Sequence, residues 1–233
     1  MSLSWREALV VGLVPGGVQV AGRFAAPWRE ALGALAKSKP RAAFRIVLSS
    51  HFLRYDLLPW EGGIAAPAER AVQARVRLRG VHGAAAEDWE LRVDEHAHGA
   101  AALACAVDQS LLAELAQALG RPPRSCQPYA VAAFNRWRRA VKAAAFRFAV
   151  IEPGRIWLGR ATRGRWTGAL TRRPGEDAAA GTLAMLEQEE ALAGAQVPTF
   201  AVVSGLDGVG LRRLESAGLR LLQTETELPL CLA

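Results

Sequence analysis

The chain has 233 residues, 51% of them hydrophobic, enough to bury a real core in one large or two small domains. Its 29 Lys and Arg against 22 Asp and Glu give a net charge of +7, which is compatible with a polyanionic partner or an acidic membrane surface. Nearly all of that charge is Arg in a chain also rich in Ala and Gly. This resembles the coding bias of a GC-rich genome, so the charge speaks first of solubility and non-specific association.

The three cysteines, Cys105, Cys126 and Cys231, are far apart and form no Cys-x-x-Cys pair. That argues against a disulfide framework or a zinc ribbon and for a reducing compartment. The first residues, Met1 to Glu7, show no signal-peptide pattern, and no apolar run reaches the roughly 18 residues that span a bilayer. The expectation is a cytoplasmic protein.

In chain order, the apolar run Ala8 to Val14 enters the turn Pro15-Gly16-Gly17 and leaves as alternating residues up to Phe24, which reads as a hairpin. Trp28 to Ala36 reads as a short helix, Phe44 to Leu48 as a strand, and Phe52 to Leu57 as another. Leu58-Pro59-Trp60-Glu61-Gly62-Gly63 interrupts that pattern. Pro67 to Val81 mixes two periods and is read as a helix opened by its proline. Trp89 to Val93 and Ala101 to Val107 follow as strands. Asp108 caps a helix over Gln109 to Leu119, which Gly120 ends. A second helix is expected from Tyr129 to about Ala144, with Phe134, Trp137 and Val141 on one face and Arg136, Arg139 and Lys142 on another.

At Phe146 the opening unit returns. Phe146 to Ile151 leads into Glu152-Pro153-Gly154 and out through Arg155 to Thr162, a second Pro-Gly hairpin in the register of the first. Gly164 to Leu170 reads as a third strand, followed by an acidic helix ending near Ala193, a buried strand Phe200 to Val203, and the glycine-rich loop Ser204 to Gly210. A short helix, Leu211 to Ala217, and a strand, Leu219 to Leu222, end the pattern. The alternation predicts an α/β fold of two lobes, residues 1–145 and 146–233, each led by one copy of the hairpin.

Few residues suggest chemistry by themselves. Asp94-Glu95-His96-Ala97-His98 is the one dense group of metal-ligand types. His96 and His98 would share a side of a strand, but no third and fourth ligand stands at a known spacing, so a solvated turn is expected and no metal. His51 and His82 stand alone. No Gly-x-Ser-x-Gly elbow and no Gly-x-x-x-x-Gly-Lys loop is present. The aromatic and basic run Phe134 to Arg139 separates its aromatics and charges at helical spacing, as an ordinary core helix does. Its basic face could rest on anionic lipid, and no specific nucleic acid is expected.

The paired hairpins, Val14-Pro15-Gly16 and Glu152-Pro153-Gly154, resemble the Asp-x-Gly hairpins that open the two lobes of the actin, sugar kinase and heat-shock chaperone superfamily. The loop Ser204-Gly205-Leu206-Asp207-Gly208 resembles that superfamily's adenosine loop. The segment order is most similar to the actin-like assembly protein of type IV pili and the cytoplasmic domain of the type II secretion L protein. The segments that carry this are Arg45 to Leu48 running on to Leu57-Leu58-Pro59, then Leu103 to Leu112, and Gln127-Pro128.

The resemblance implies an actin-like fold with ATP and Mg²⁺ between the lobes, held through Gly16, Gly17, Glu152, Gly154, Gly205 and Asp207 if nucleotide binding is kept. Two positions depart from the pattern: valine stands where the first Asp belongs, and the longer Glu152 where the second belongs. Mg²⁺ needs near-octahedral oxygen ligation, so the resemblance implies a pseudo-ATPase with no catalytic residues and no cofactor. Such a protein would act as a cytoplasmic scaffold, at the periphery of the inner membrane, that binds a segment of an inner-membrane assembly protein. Leu57, Leu58 and Trp60 are expected as an exposed contact for it. The alternatives are an ATP-binding or phosphoryl-transfer protein using Glu152 and Asp207, and a basic nucleic-acid-binding protein.

Overall fold

The computed structural model describes residues 8–64, 66–94, 99–194 and 196–225. Strand β1 (Ala8–Val14) turns through Pro15 and Gly16 into β2 (Gly17–Val20), and β3 (Arg23–Ala25) completes a meander. After helix α1 (Trp28–Ser38), β4 (Ala43–Leu48) runs parallel to β1. The chain then leaves this sheet for an inserted layer: β5 (Leu53–Leu58), α2 (Pro67–His82), β6 (Trp89–Val93) and β7 (Ala102–Asp108), with the strands ordered β5-β7-β6. It returns through α3 (Gln109–Leu119) and β8 (Ser125–Pro128), which lies parallel to β4, and ends the half with α4 (Tyr129–Trp137).

The second half repeats the plan without the insertion. β9 (Ala145–Glu152), β10 (Arg155–Thr162) and β11 (Arg165–Arg172) form the meander. Helix α5 (Ala178–Ala193), β12 (Thr199–Ser204), α6 (Gly208–Ser216) and β13 (Arg220–Glu225) follow. The two five-stranded sheets have one order, β3-β2-β1-β4-β8 and β11-β10-β9-β12-β13. The repeat extends to backbone angles. The second meander turn is Ala21-Gly22 in one half, with φ of 48° and 78°, and Arg163-Gly164 in the other, with φ of 51° and 73°. Two consecutive left-handed residues match the twist of the strands that such a turn joins, so both meanders close in the same way.

Alternation along the central strands divides the core. Val11 and Leu13 of β1 face α1 and α3 with Leu32, Ile46 and Leu115. Ala149 and Ile151 of β9 face α5 and α6 with Met185 and Leu214. The opposite faces of both sheets meet in one cluster, in which Val14 and Val47 join Phe148, Val150, Trp157 and Val202 around Tyr129, Ala130 and Ala133 of α4. Each fully buried aliphatic or aromatic side chain here contributes roughly 1.5–3 kcal/mol, so this shared layer binds the halves together.

Caps set several helix ends. Asp108 accepts from the Ser110 N–H at 2.8 Å, and Gly120 ends α3 with φ of 66°. Asp177 caps α5 by accepting from the Ala180 N–H at 2.9 Å.

The structure departs from the sequence reading, or adds to it, in four places. Helix α4 ends at Trp137, short of Ala144, because tightened turns (Ala140 N–H to the Trp137 carbonyl, Lys142 N–H to that of Ala140) bring the chain down into β9; Phe134, Trp137 and Val141 nevertheless all pack on the central cluster. β8 pairs with β4 in a segment that has no strand pattern of its own. Leu58 is not an exposed contact: it is 0% exposed and packs with Ala74, Ala102 and Ala104 under α2, since it points to the helix-covered side of the inserted sheet. The first turn's Gly16 needs no left-handed backbone, in contrast to Gly154 at φ 73°. Residues His96 and His98 lie outside the described residues.

Candidate functional site

The two Pro-Gly turns occupy matched places, Val14 pairing with Gly17 and Glu152 with Arg155 across their hairpins. Val14 is 3% exposed within the central apolar cluster. Gly17 is required by close approach, because a Cβ there would lie 2.4 Å from the Ala25 carbonyl oxygen of β3.

Glu152 is buried as completely as Val14, at 1% exposure, and its carboxylate crosses from the second half to the first. It accepts from Ser49 Oγ at 2.5 Å and from the Ser50 N–H at 3.1 Å to each oxygen. The next residues repeat the connection, His51 Nε2 lying 2.8 Å from the Pro153 carbonyl oxygen. A carbonyl only accepts, so Nε2 carries the hydrogen. Burial pushes the Glu152 carboxyl above its ordinary value; Ser49, the Ser50 N–H and hydroxyl, and Arg155 act in the opposite direction. Burial likewise holds His51 below its ordinary value, against the Pro153 carbonyl and together with Arg155 and Arg173.

The loop after β12 closes on the same turn. Ser204 Oγ donates to the Ile151 carbonyl at 3.1 Å. Gly205 has φ of 72°, and a Cβ on it would sit 2.4 Å from Pro153 Cγ. Asp207 is exposed and caps α6, accepting from the Gly210 N–H at 2.7 Å. Of the six positions assigned to a nucleotide and its metal, Glu152 is thus spent on Ser49 and Ser50, Gly154 and Gly205 pack on His51 and Pro153, Gly17 packs on β3, and Asp207 is a helix cap. Gly16, like Gly154, Gly205 and Asp207, lies at the surface, and a Cβ on it would meet only Phe24. With Val14 supplying no oxygen, this donor set does not fit Mg²⁺. Among the described residues no group of three or more His, Cys, Asp and Glu could hold a metal ion.

Beside this contact lies a groove of about 310 Å³ between the inserted sheet and α3, lined by His51, Phe52, Arg54, Trp89, Leu111 and Glu114 among others. Sequence reasoning missed it, because its residues come from three separate segments. The one local sign is Ser49-Ser50-His51, which stands at the end of β4 as Ser204-Gly205 stands at the end of β12.

Two sheets of one strand order, each opened by a Pro-Gly hairpin and facing each other across α4, decide the architecture. The fold is the actin-like ATPase fold. Structures that share it include a Bacteroides thetaiotaomicron protein with an actin-like ATPase fold and unknown function (TM-score 0.60, 11% identity, 94% of this chain and 91% of that one). They also include the cytoplasmic domain of EpsL, an inner membrane component of the Vibrio cholerae type II secretion system (TM-score 0.56, 16% identity, 94% and 86%). A third is the PilM–PilN type IV pilus biogenesis complex (TM-score 0.58, 16% identity, 91% and 77%). No protein-family model and no curated protein matches the sequence. No helix among the described residues is long and apolar enough to cross a membrane. In this actin-like chain the hairpins meet the opposite half through buried contacts.

Proposed function

We propose that this actin-like protein is a non-catalytic scaffold that captures a segment of an inner-membrane assembly protein, in a pilus-type or type II secretion-type machine. The observation that carries it is Glu152, whose carboxylate is bonded to Ser49 and Ser50 where a nucleotide-using relative would keep it free for a metal. Support for the assembly role comes from the neighbours, a secretion-system domain and a complex of PilM with PilN.

The groove between the inserted sheet and α3 is the contact we assign to the partner. Arg54 lies over the Trp89 ring at 5.8 Å, giving a face that suits a short segment with both apolar and polar residues. His51 belongs to both the groove and the Pro153 contact, so partner capture would bear directly on how the halves are held.

Two measurements test this. Thermal unfolding with and without millimolar ATP and Mg²⁺ should give no shift; a ligand at about 100 times its dissociation constant would add roughly 2.7 kcal/mol. A shift of several degrees that disappears in Glu152→Ala would overturn the scaffold in favour of a nucleotide-binding protein. A photocrosslinker at Leu111 in cells should trap a membrane-embedded protein that one at Val209 does not; equal trapping at both would remove the groove from the account.

A further inference from the structure

Helix α2 turns two arginines, seven residues apart, toward the inserted sheet, and the chain serves only one of them. Arg77 lays the Nε and Nη2 edge of its guanidinium on the Asp56 carboxylate of β5, at 2.6 and 3.1 Å. Arg70 is 6% exposed, and its own Nε and Nη2 are buried with no hydrogen-bond partner among the described residues. Its guanidinium carbon lies 5.3 Å from the centroid of the Trp60 ring.

The spacing shows why. Seven helical residues advance about 10.5 Å, and Trp60 lies four residues beyond Asp56, two of them past the end of β5. Trp60 therefore stands to Arg70 as Asp56 stands to Arg77, and the sequence has put an indole where the matching acid would be. An aromatic face attracts a cation but does not satisfy the paired N–H groups of its edge. Arginine cannot escape by losing its proton. Both acids nearest in sequence are engaged, Glu61 with Gln73 Nε2 at 2.7 Å and Glu69 with the Ala66 N–H at 3.1 Å.

We infer that the Nε and Nη2 edge of Arg70, beneath Trp60, is a binding site for one oxyanion, a carboxylate or phosphate group held by two parallel N–H bonds. Such an edge is the geometry by which arginine recognises both groups.

The test is thermal unfolding of the wild type, Arg70→Met and Arg70→Lys in sodium chloride, sodium acetate and sodium phosphate, at one pH and one ionic strength. The wild type should gain several degrees in acetate or phosphate over chloride. Arg70→Met should show no such gain and should be at least as stable as the wild type in chloride, since it deletes a buried charge without a partner. Arg70→Lys, which keeps the charge and loses the fork, should lose most of the anion response even if Arg70→Met fails to fold. A response to acetate exceeding that to phosphate assigns a carboxylate, a response to phosphate alone assigns a phosphoryl group, and equal responses support the oxyanion site for either group. A wild type indifferent to both anions, or variants that respond as it does, would overturn the site.

Discussion

Val14 and Glu152 hold the same place in two copies of one unit, and both are buried. They reach burial by opposite chemistry. Val14 joins the apolar layer around α4, whereas Glu152 sends a carboxylate across to Ser49 and Ser50. The difference teaches that both hairpins are parts of the contact between halves, one through an apolar layer and the other through a buried polar pair. The largest expected effect comes from placing an acid in the first hairpin. Val14→Asp would place an unpaired carboxylate in the central apolar cluster and should cost about 3–5 kcal/mol, read as a lower midpoint in denaturant. A variant of unchanged stability would show that the first turn opens to water.

The second hairpin breaks in a different way. Glu152→Ala removes the acceptor that the Ser49 hydroxyl and the Ser50 N–H share and leaves a void, so a loss of about 3 kcal/mol is expected. Glu152→Gln keeps shape and an acceptor and should cost about 1 kcal/mol or less. Ser49→Ala combined with Glu152→Ala should cost less than the two single losses summed, since the partners form one buried pair. Additive losses would mean that the two side chains do not depend on each other.

Much of this comparison was legible in the residues. The Pro-Gly turns, the alternation of Phe44 to Leu48, and the Asp108 and Gly120 caps are local signals, and local signals decide local structure. β8 was not legible: Ser125-Cys126-Gln127-Pro128 has no β-branched or aromatic residue and becomes a strand only because β4 offers it an edge. The position of Glu152 could be read from the repeat, but its partners could not, because Ser49 and Ser50 lie 103 and 102 residues away and no spacing rule connects them. Leu58 was misjudged for a related reason: a leucine beside Pro59 and two nearby glycines looks like a loop residue until α2 is known to cover its side of the sheet.

Smaller effects sharpen the contrast between the turns. Gly16 has no left-handed φ, and a Cβ on it would meet Phe24 Cζ at an ordinary 3.8 Å. Gly16→Ala should therefore change stability by less than about 0.5 kcal/mol, with any gain coming from a less flexible unfolded chain. Gly154 has φ of 73°, so Gly154→Ala should cost about 1 kcal/mol, although the 3.5 Å to His51 Cε1 leaves room for the methyl group. Equal effects in both turns would mean that their backbones are alike.

The smallest expected difference is in pH dependence, and only the second hairpin should show any. Burial raises the Glu152 carboxyl above 4.5, the value near which it would ionise in the unfolded chain. The native state therefore holds that proton to higher pH. Its contribution is complete below about pH 4.5 and shrinks as pH rises through the folded value. Burial lowers His51 below 6.5, so its contribution is complete above about pH 6.5 and shrinks as pH falls through its folded value. The two slopes oppose each other within one contact. Denaturant midpoints taken between about pH 4 and about pH 8 should fall less with rising pH in Glu152→Gln than in the wild type, and fall less with falling pH in His51→Gln. Val14 and Pro15 carry no proton, so Val14→Ala should leave both slopes in place. A profile unaltered by Glu152→Gln would mean that this carboxyl ionises as freely in the folded chain as in the unfolded one, and that water reaches the contact between the halves.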